Sequence, residues 1–587
     1  MYRAPLKEIR FALHQLIGDS AIVGRPGLED YSLEYADSVL EEAAQFAEKV
    51  ISPVNVPGDR AGAKWTPDGV LAPPEFKAAY AKFIEAGWST LAAPAEHGGQ
   101  GAPTLLTTAV EEMWTSASLA FKLCPLLTRG AVEAISHSGS DELKATFLPK
   151  MVAGEWTGTM NLTESQAGSD LGLVRTRAKP DGQHFRVFGE KIFITYGDHD
   201  YTENIVHLVL ARIDGAPAGV KGISMFIVPK FIPDASGAPS ERNDVRCSAI
   251  ERKLGIHGSP TCVMTYGSGP GAVGYLVGEA NRGLEYMFIM MNAARLGVAL
   301  EGYSIAERAY QQAAEWARTR VQGRPAGLRE GAPGTINGHA DVKRMLLTMR
   351  STISAARALT MYTALQLDLA RHEADPAAAA RAQARGDLLI PIAKGWATEN
   401  GNTLASLGVQ VHGGMGFVEE TGAAQYLRDV RITTIYEGTT GIQAIDLVGR
   451  KVSRDEGRAM LALLADMRAE LSGLTGGASE QVATRALEGV DLLEHATGAV
   501  LEAGRRGAQH LQAVAVPYLH LAGIVIGGWM LAKSHALASR DGQEDAEFAA
   551  GKRRDCEFYA ANILPQALGL GRIVAAGGDS VVEAEIA

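Results

Sequence analysis

Glu437 stands in the run ITTIYEGTTGIQAID, among apolar residues and hydroxyls, just ahead of a predicted helix. Gly438 follows it, and either Thr439 or Thr440 is placed to cap that helix. A carboxylate so placed has two readings. It is an acid favoured by the helix dipole, or a base whose proton affinity is set by burial and position. Three other segments carry residue types suited to holding a ligand. MNLTESQAGSDLG at 160–172 packs Thr163, Ser165, Ser169 and two glycines into one turn. Small residues there let backbone N–H groups approach an anionic or carbonyl-rich ligand. KIFITYGDHD at 191–200 alternates like a strand, which predicts Phe193 and Thr195 on one face. An aromatic wall beside a hydroxyl suits a flat heteroaromatic ring. RKLGIHGSPTCVM at 252–264 is a further glycine-and-hydroxyl turn, and Gly413, Gly414 and Gly416 precede a helical stretch with Arg428 and Asp429. Taken singly, each segment also reads as an ordinary turn, strand or helix start, the commoner use of such residues.

These segments need a large scaffold. The chain has 587 residues, too many for one core, and length alone suggests about three or four domains. Hydrophobic content of 46% and charged content of 21% are those of an ordinary globular protein. A net charge of −11 argues against a nucleic-acid role, though it leaves room for a local basic patch on a phosphorylated cofactor. Cys124, Cys247, Cys262 and Cys556 lie far apart, with no zinc-ligand or redox spacing. We therefore expect no metal site, and buried thiols in a reducing, cytoplasmic compartment. Leu6, Ile9, Leu13 and Leu16 fit one helix face, without the continuous apolar core of a signal peptide. Residues 507–532 contain no Asp, Glu, Lys or Arg and are long enough to span a bilayer. Two His, two Gln and Pro517 in that run favour a helix buried among other helices over a membrane span.

The texture of the chain changes three times. Residues 1–157 read mainly as helices, with an N-terminal extension, and are broken by turn-rich stretches at 58–74 and 94–103. Residues 158–283 carry short β-branched and aromatic runs such as HFRVFGEKIFIT and GISMFIVPKF, which predict a small sandwich or barrel. Helical texture returns at 284–454 and continues through a last module, 455–587, in which LTGGASE at 474–480 reads as a joint. The run from Gly283 to Val321 is too long for one ordinary helix without a bend or break. Strand and helix do not alternate, and no strand-linked GxGxxG or GxxxxGK[ST] is present, so a Rossmann or P-loop site is disfavoured.

Together the segments resemble the acyl-CoA dehydrogenase family. Its TEPGAGSD motif is matched by Thr163–Asp170, its K-x-[WF]-I-T strand by Lys191–Thr195, and its GIRGSPT turn by Gly255–Thr261. Its QxxGGxG turn is matched by Gln410–Gly416, and its YEGT motif by Tyr436–Thr439. The resemblance covers about residues 35–450. It implies a mainly α fold with a central β domain: an N-terminal helical domain, a middle β-barrel and a C-terminal helical bundle, with FAD between them. It implies Glu437 as catalytic base for α,β-dehydrogenation of an acyl-CoA. Met160, Leu162, Thr163, Gly168, Ser169, Phe193, Ile194 and Thr195 would hold FAD. Arg320, Gln410, Gly413 and Gly414 would meet the FAD of a neighbouring subunit, and Thr439 its adenosine side. Ser169, Arg295, Tyr436 and Gly438 would meet the substrate. Implied partners are the acyl-CoA, an electron-transfer flavoprotein and a second copy of the chain, in at least a homodimer.

The sequence departs from the family pattern in places. The run Arg320-Val321-Gln322-Gly323-Arg324 lacks the aromatic of R-x-x-F-G, Gly441 replaces a frequent Gln, and Phe193 replaces a more frequent Trp. Some branches place the base before the arginine equivalent to Arg295. Here that residue is Ala294, which leaves Glu437. The N-terminal extension and the module after 450 are similar to a longer bacterial branch, whose members act on 3-methylmercaptopropionyl-CoA or on fatty acyl-CoA. Two rival readings stay open: an acyl-CoA oxidase that passes electrons to O₂, and a non-catalytic scaffold.

Overall fold

The computed structural model describes residues 2–326, 334–543 and 545–586. The chain forms two compact units: Gln45–Pro103 with Ala117–Gly297, and Met1–Ala44 with Thr104–Ser116 and Val298–Ala587. Residues of the N-terminal helical region thus contribute to both.

The first unit is built on an eight-stranded sheet: β1 (Trp156–Asn161), β2 (Arg177–Asp181), β3 (His184–Thr195), β4 (Asn204–Ile213), β5 (Ile223–Pro229), β6 (Val245–Ile250), β7 (Thr261–Tyr266) and β8 (Ala272–Val277). The strand order is β6-β7-β3-β8-β5-β4-β1, and β2 pairs with both β3 and β4. That double pairing closes β2, β3, β8, β5 and β4 into a ring, the barrel expected from the short β-branched runs. Val187, Val209, Phe226, Val228, Cys262 and Ala272 fill its interior. Val206, Leu208, Leu210, Met225 and Ile227 alternate to the outer face and pack with Leu127, Ala131 and Ile135 of the helix Leu119–Ser138. The barrel is also polar inside. Thr157, Thr159 and Asn161 of β1 meet His199, His207 and Tyr266 at 2.9, 2.7 and 2.8 Å. Burial drives both histidines down to about 3, so they are neutral.

The second unit is helical. The helices Ala340–His372, Pro376–His412, Glu480–Arg506 and Ala508–Ala538 share one core through residues such as Leu359, Ile392, Leu493 and Ile526. Helix Ala508–Ala538 is long and apolar enough to cross a membrane, but 83% of its most apolar stretch is buried among its neighbours. It approaches Pro376–His412 by omitting side chains. A Cβ on Gly523 would lie 2.2 Å from Trp396 Cγ, and one on Gly395 would lie 2.7 Å from Leu519 Cδ1. The joint expected at LTGGASE falls between the helices Arg458–Ser472 and Glu480–Arg506. Charges are buried here too. Arg357 bonds Glu112 at 2.7 Å and Glu307 at 3.2 Å, and Lys552 of the last module bonds Glu8 of the N-terminal extension.

The run beginning at Gly283 has no break, one of the two alternatives its length suggested. It forms one helix, Gly283–Thr319, of 37 residues without interruption. Buried positions recur along it from Met287 to Ala317, so side-chain packing supports its full length where a shorter amphipathic helix would end.

Candidate active site

In the barrel unit, the segment after β1 is held from behind. Glu164 and Ala167 exchange backbone bonds at 3.1 and 2.9 Å, which closes a tight turn. The Thr163 carbonyl accepts from Ile192 N–H of β3 at 2.9 Å. Lys191 donates to the Leu162 carbonyl at 2.9 Å and to Glu164 Oε1 at 2.8 Å. Glu164 also accepts from Thr176 N–H, the Thr176 hydroxyl and Arg175 N–H. This leaves Gly168 and Ser169 exposed at the tip, and nothing lies within 4 Å of where a Gly168 Cβ would sit.

Strand β3 does not alternate as the sequence predicts. Cys262 pairs with Ile194 and Met264 with Lys191, so Ile192 and Phe193 together oppose Val263. This is a β-bulge, a device common beside active sites. Phe193 takes φ 60°, a left-handed conformation costly for an aromatic residue, and the residue is 58% exposed. Thr195 lies two residues on and is half-buried. Ile194 turns its side chain into the barrel, Leu162 is buried with its carbonyl held by Lys191, and Met160 is half-buried at the end of β1. For these three, the backbone or a side-chain edge is what a ligand could reach. Arg295 is buried on the helix Gly283–Thr319.

The helical unit holds the other residues in two groups, each touching the helix Pro376–His412, one through Gln410 and one through Lys394. Gln410 lies in the last turn of the helix Pro376–His412, which runs into the turn Gly413–Phe417, where Gly413 has φ 62°. His412 stacks on Trp316 at 5.3 Å, and the Arg320 guanidinium lies 6.0 Å from the Trp316 ring. Arg320 and the Gln410–Gly414 turn are thereby one cluster.

The second group surrounds Glu437. Thr439, not Thr440, caps the helix Thr440–Asp446, accepting from Ile442 N–H. The Thr440 hydroxyl instead donates to Glu399 at 2.5 Å. Glu437 has φ 56° and Gly438 φ 87°, two consecutive left-handed residues. Lys394 donates to the Gly438 carbonyl at 2.7 Å, and Gln443 to the Glu437 carbonyl at 2.9 Å. The Tyr436 hydroxyl donates to the buried Glu301, and burial together with that carboxylate pushes its pKa up. Sequence reasoning missed Lys394, Gln443 and Glu301. A signal existed for Lys394, the single charge in LLIPIAKGWA.

Comparisons with known proteins fit this arrangement. Family profiles described as the acyl-CoA dehydrogenase N-terminal, middle and C-terminal domains match residues 34–155, 159–267 and 281–452. An acetyl-CoA dehydrogenase C-terminal-like profile matches 461–585. The chain is 44% identical to a 3-methylmercaptopropionyl-CoA dehydrogenase of Ruegeria pomeroyi, over 100% of both chains. This chain belongs to the acyl-CoA dehydrogenase family. It is an oxidoreductase acting on a CH–CH bond, with FAD as cofactor. A broad-specificity linear acyl-CoA dehydrogenase of Mycobacterium tuberculosis is 33% identical, over 96% of each chain. Among solved structures, an acyl-CoA dehydrogenase from Bacillus anthracis complexed with FAD shares the fold at a TM-score of 0.75 and 20% identity, over 97% of this chain and 92% of the other.

The residues present fit FAD. The bulge leaves Phe193 exposed two residues before the half-buried Thr195, an aromatic surface and a hydroxyl for a flat ring, and the bare tip at Gly168 gives backbone N–H groups room beside a phosphate.

Proposed function

We propose that this chain converts an acyl-CoA to its trans-2-enoyl-CoA, with Glu437 taking the α-proton. The observation that carries this is the strained left-handed backbone at Glu437, held through its own carbonyl and that of Gly438. The α-proton of a thioester is weakly acidic, so its removal needs a placed carboxylate and a stabilised carbonyl oxygen. Glu437 supplies the carboxylate, and its own backbone N–H is the donor we assign to the thioester carbonyl. FAD, held by Thr163, Ser169, Phe193 and Thr195, supplies the acceptor for the hydride leaving Cβ. The proton rests on Glu437 while the Cα–Cβ double bond forms. Tyr436 and Gly438 border the base, and we assign them with Ser169 and Arg295 to substrate contact.

The substrate we propose is 3-methylmercaptopropionyl-CoA or a short- to medium-chain acyl-CoA, supported by the 44% full-length identity. We assign electron transfer to an electron-transfer flavoprotein and place the enzyme in the cytoplasm, consistent with four free buried cysteines. We also propose at least a homodimer. Lys394 and His412, the residue before Gly413, are 18 residues apart on one helix, about 27 Å along its axis. That separation supports giving Arg320 and the Gln410–Gly414 turn to a second copy's FAD.

The test is anaerobic mixing of the FAD enzyme with a panel of acyl-CoAs that includes 3-methylmercaptopropionyl-CoA. We expect flavin bleaching by at least one of them, slowed about 10²–10⁴-fold in Glu437→Gln. Bleaching of the Gln variant at the wild-type rate would remove Glu437 as base. Rapid reoxidation in air with stoichiometric peroxide would replace the dehydrogenase reading by an oxidase.

A further inference from the structure

We infer that Lys394 and Gln443 are positioning residues for the base, acting through the backbone carbonyls of Gly438 and Glu437. The inference rests on Glu437 being the base. Backbone conformation sets the direction in which a carboxylate and its own N–H point. Here Glu437 sits at φ 56°, a left-handed region costly for a non-glycine residue. Such a conformation persists only where the surroundings over-determine it. The Gln443 amide donates to the Glu437 carbonyl at 2.9 Å and lies 3.4 Å from the Gly438 carbonyl. The Lys394 ammonium donates to the Gly438 carbonyl at 2.7 Å. Two donors on two different helices thus fix consecutive peptide planes. Gly438 has φ 87°, a conformation side chains rarely adopt, and a Cβ there would lie 2.8 Å from Gln443 Nε2 and push the amide aside.

The donors are themselves fixed. Gln443 is buried on the helix Thr440–Asp446, whose start is capped by Thr439 and tied by Thr440 to Glu399. Lys394 is fully buried in the middle of the helix Pro376–His412. Its neighbours Gly395 and Trp396 are the residues against which Leu519 and Gly523 of the helix Ala508–Ala538 seat. The added C-terminal module therefore backs the stretch of helix from which Lys394 reaches the catalytic loop. This gives that module a part in the chemistry, as the wall behind a positioning residue.

The experiment compares Lys394→Met and Gln443→Met with wild type and Glu437→Gln, all loaded with FAD. The readouts are FAD content, acyl-CoA affinity by titration, and the anaerobic bleaching rate. Both Met variants keep side-chain length and lose the donor. We expect FAD content and acyl-CoA affinity within about threefold of wild type and a bleaching rate reduced about tenfold or more, since small misplacements of reacting groups cost that much. A purely structural role would lower thermal stability while leaving the rate of the folded, FAD-loaded enzyme unchanged. If both variants bleach within threefold of wild type while Glu437→Gln does not, the inference is overturned and the base assignment stands. If Glu437→Gln itself bleaches normally, the base assignment is what fails. Lys394→Met removes a buried charge and risks folding. Gln443→Met leaves no charge unpaired and carries the test alone if the lysine variant is insoluble.

Discussion

Lys191 and Glu164 form a buried ion pair at 2.8 Å, with side-chain exposures of 0% and 5%, and the lysine spans Thr163 by also holding the Leu162 carbonyl. One ammonium therefore fastens the loop after β1 to the strand that carries Phe193. Removing it in Lys191→Met leaves a buried carboxylate unpaired. We expect a stability loss of about 3–5 kcal/mol, read from urea unfolding, together with weaker FAD retention.

The same pair sets an acid limit. Burial works against ionised Glu164, but Lys191, the Thr176 hydroxyl and the Arg175 N–H outweigh it and hold the group at about 2, below its ordinary 4.5. A carboxylate lowered in the folded state contributes stability that is complete above about pH 4.5 and is lost as the pH falls through about 2. The double variant Lys191→Met/Glu164→Gln has no such group. Its melting temperature should fall less than that of wild type between about pH 5 and pH 3. An equal fall would show that this pair contributes little to acid sensitivity.

Phe193→Gly separates strain from function. Glycine adopts φ 60° freely, so the backbone should relax and thermal stability should hold or rise slightly. The aromatic wall is lost at the same time. We expect FAD to bind about two- to tenfold more weakly, the worth of one aromatic contact of about 0.5–1.5 kcal/mol. Unchanged FAD affinity would take Phe193 out of the cofactor site.

Gly523→Ala probes the seat of the added module. Its new Cβ would lie 2.2 Å from Trp396 Cγ, in a helix face with no slack. Overpacking of this kind costs about 1–3 kcal/mol, and denaturant titration of the full chain should report it. If the Trp396 side of the contact also sets Lys394, bleaching should slow in the folded variant as well.

Much of the fold was legible because periodicity survives in sequence. The helical N-terminal residues, the short β-branched runs and the turn at 474–480 all appear where their patterns predict. The uninterrupted helix from Gly283 was not legible, because its length is fixed by neighbours that the local pattern does not contain. The motifs singled out Thr163, Phe193, the Gln410–Gly414 turn and Glu437, residues on loops or near element ends. Their supports were hidden for a physical reason. Lys394, Glu301 and Gln443 act from 43 or 136 residues before Glu437, or from 6 after it, through contacts to backbone or to Tyr436, and no spacing rule connects them. The bulge was likewise invisible. Strict alternation in KIFIT puts Phe193 and Thr195 on one face, whereas one extra residue against Val263 lets Lys191 and Ile194 both point inward.

The helix Ala508–Ala538 also bears on how the chain is made. Its most apolar stretch is buried against helices that leave the ribosome more than a hundred residues earlier, Trp396 and Ala355 among its neighbours. Until that helix emerges, the bundle that carries Glu437 has an uncovered apolar flank. Such transient surfaces are where nascent chains associate wrongly. A chain stopped before residue 508 therefore carries Glu437, Lys394 and Gln443 on a bundle that still lacks one wall.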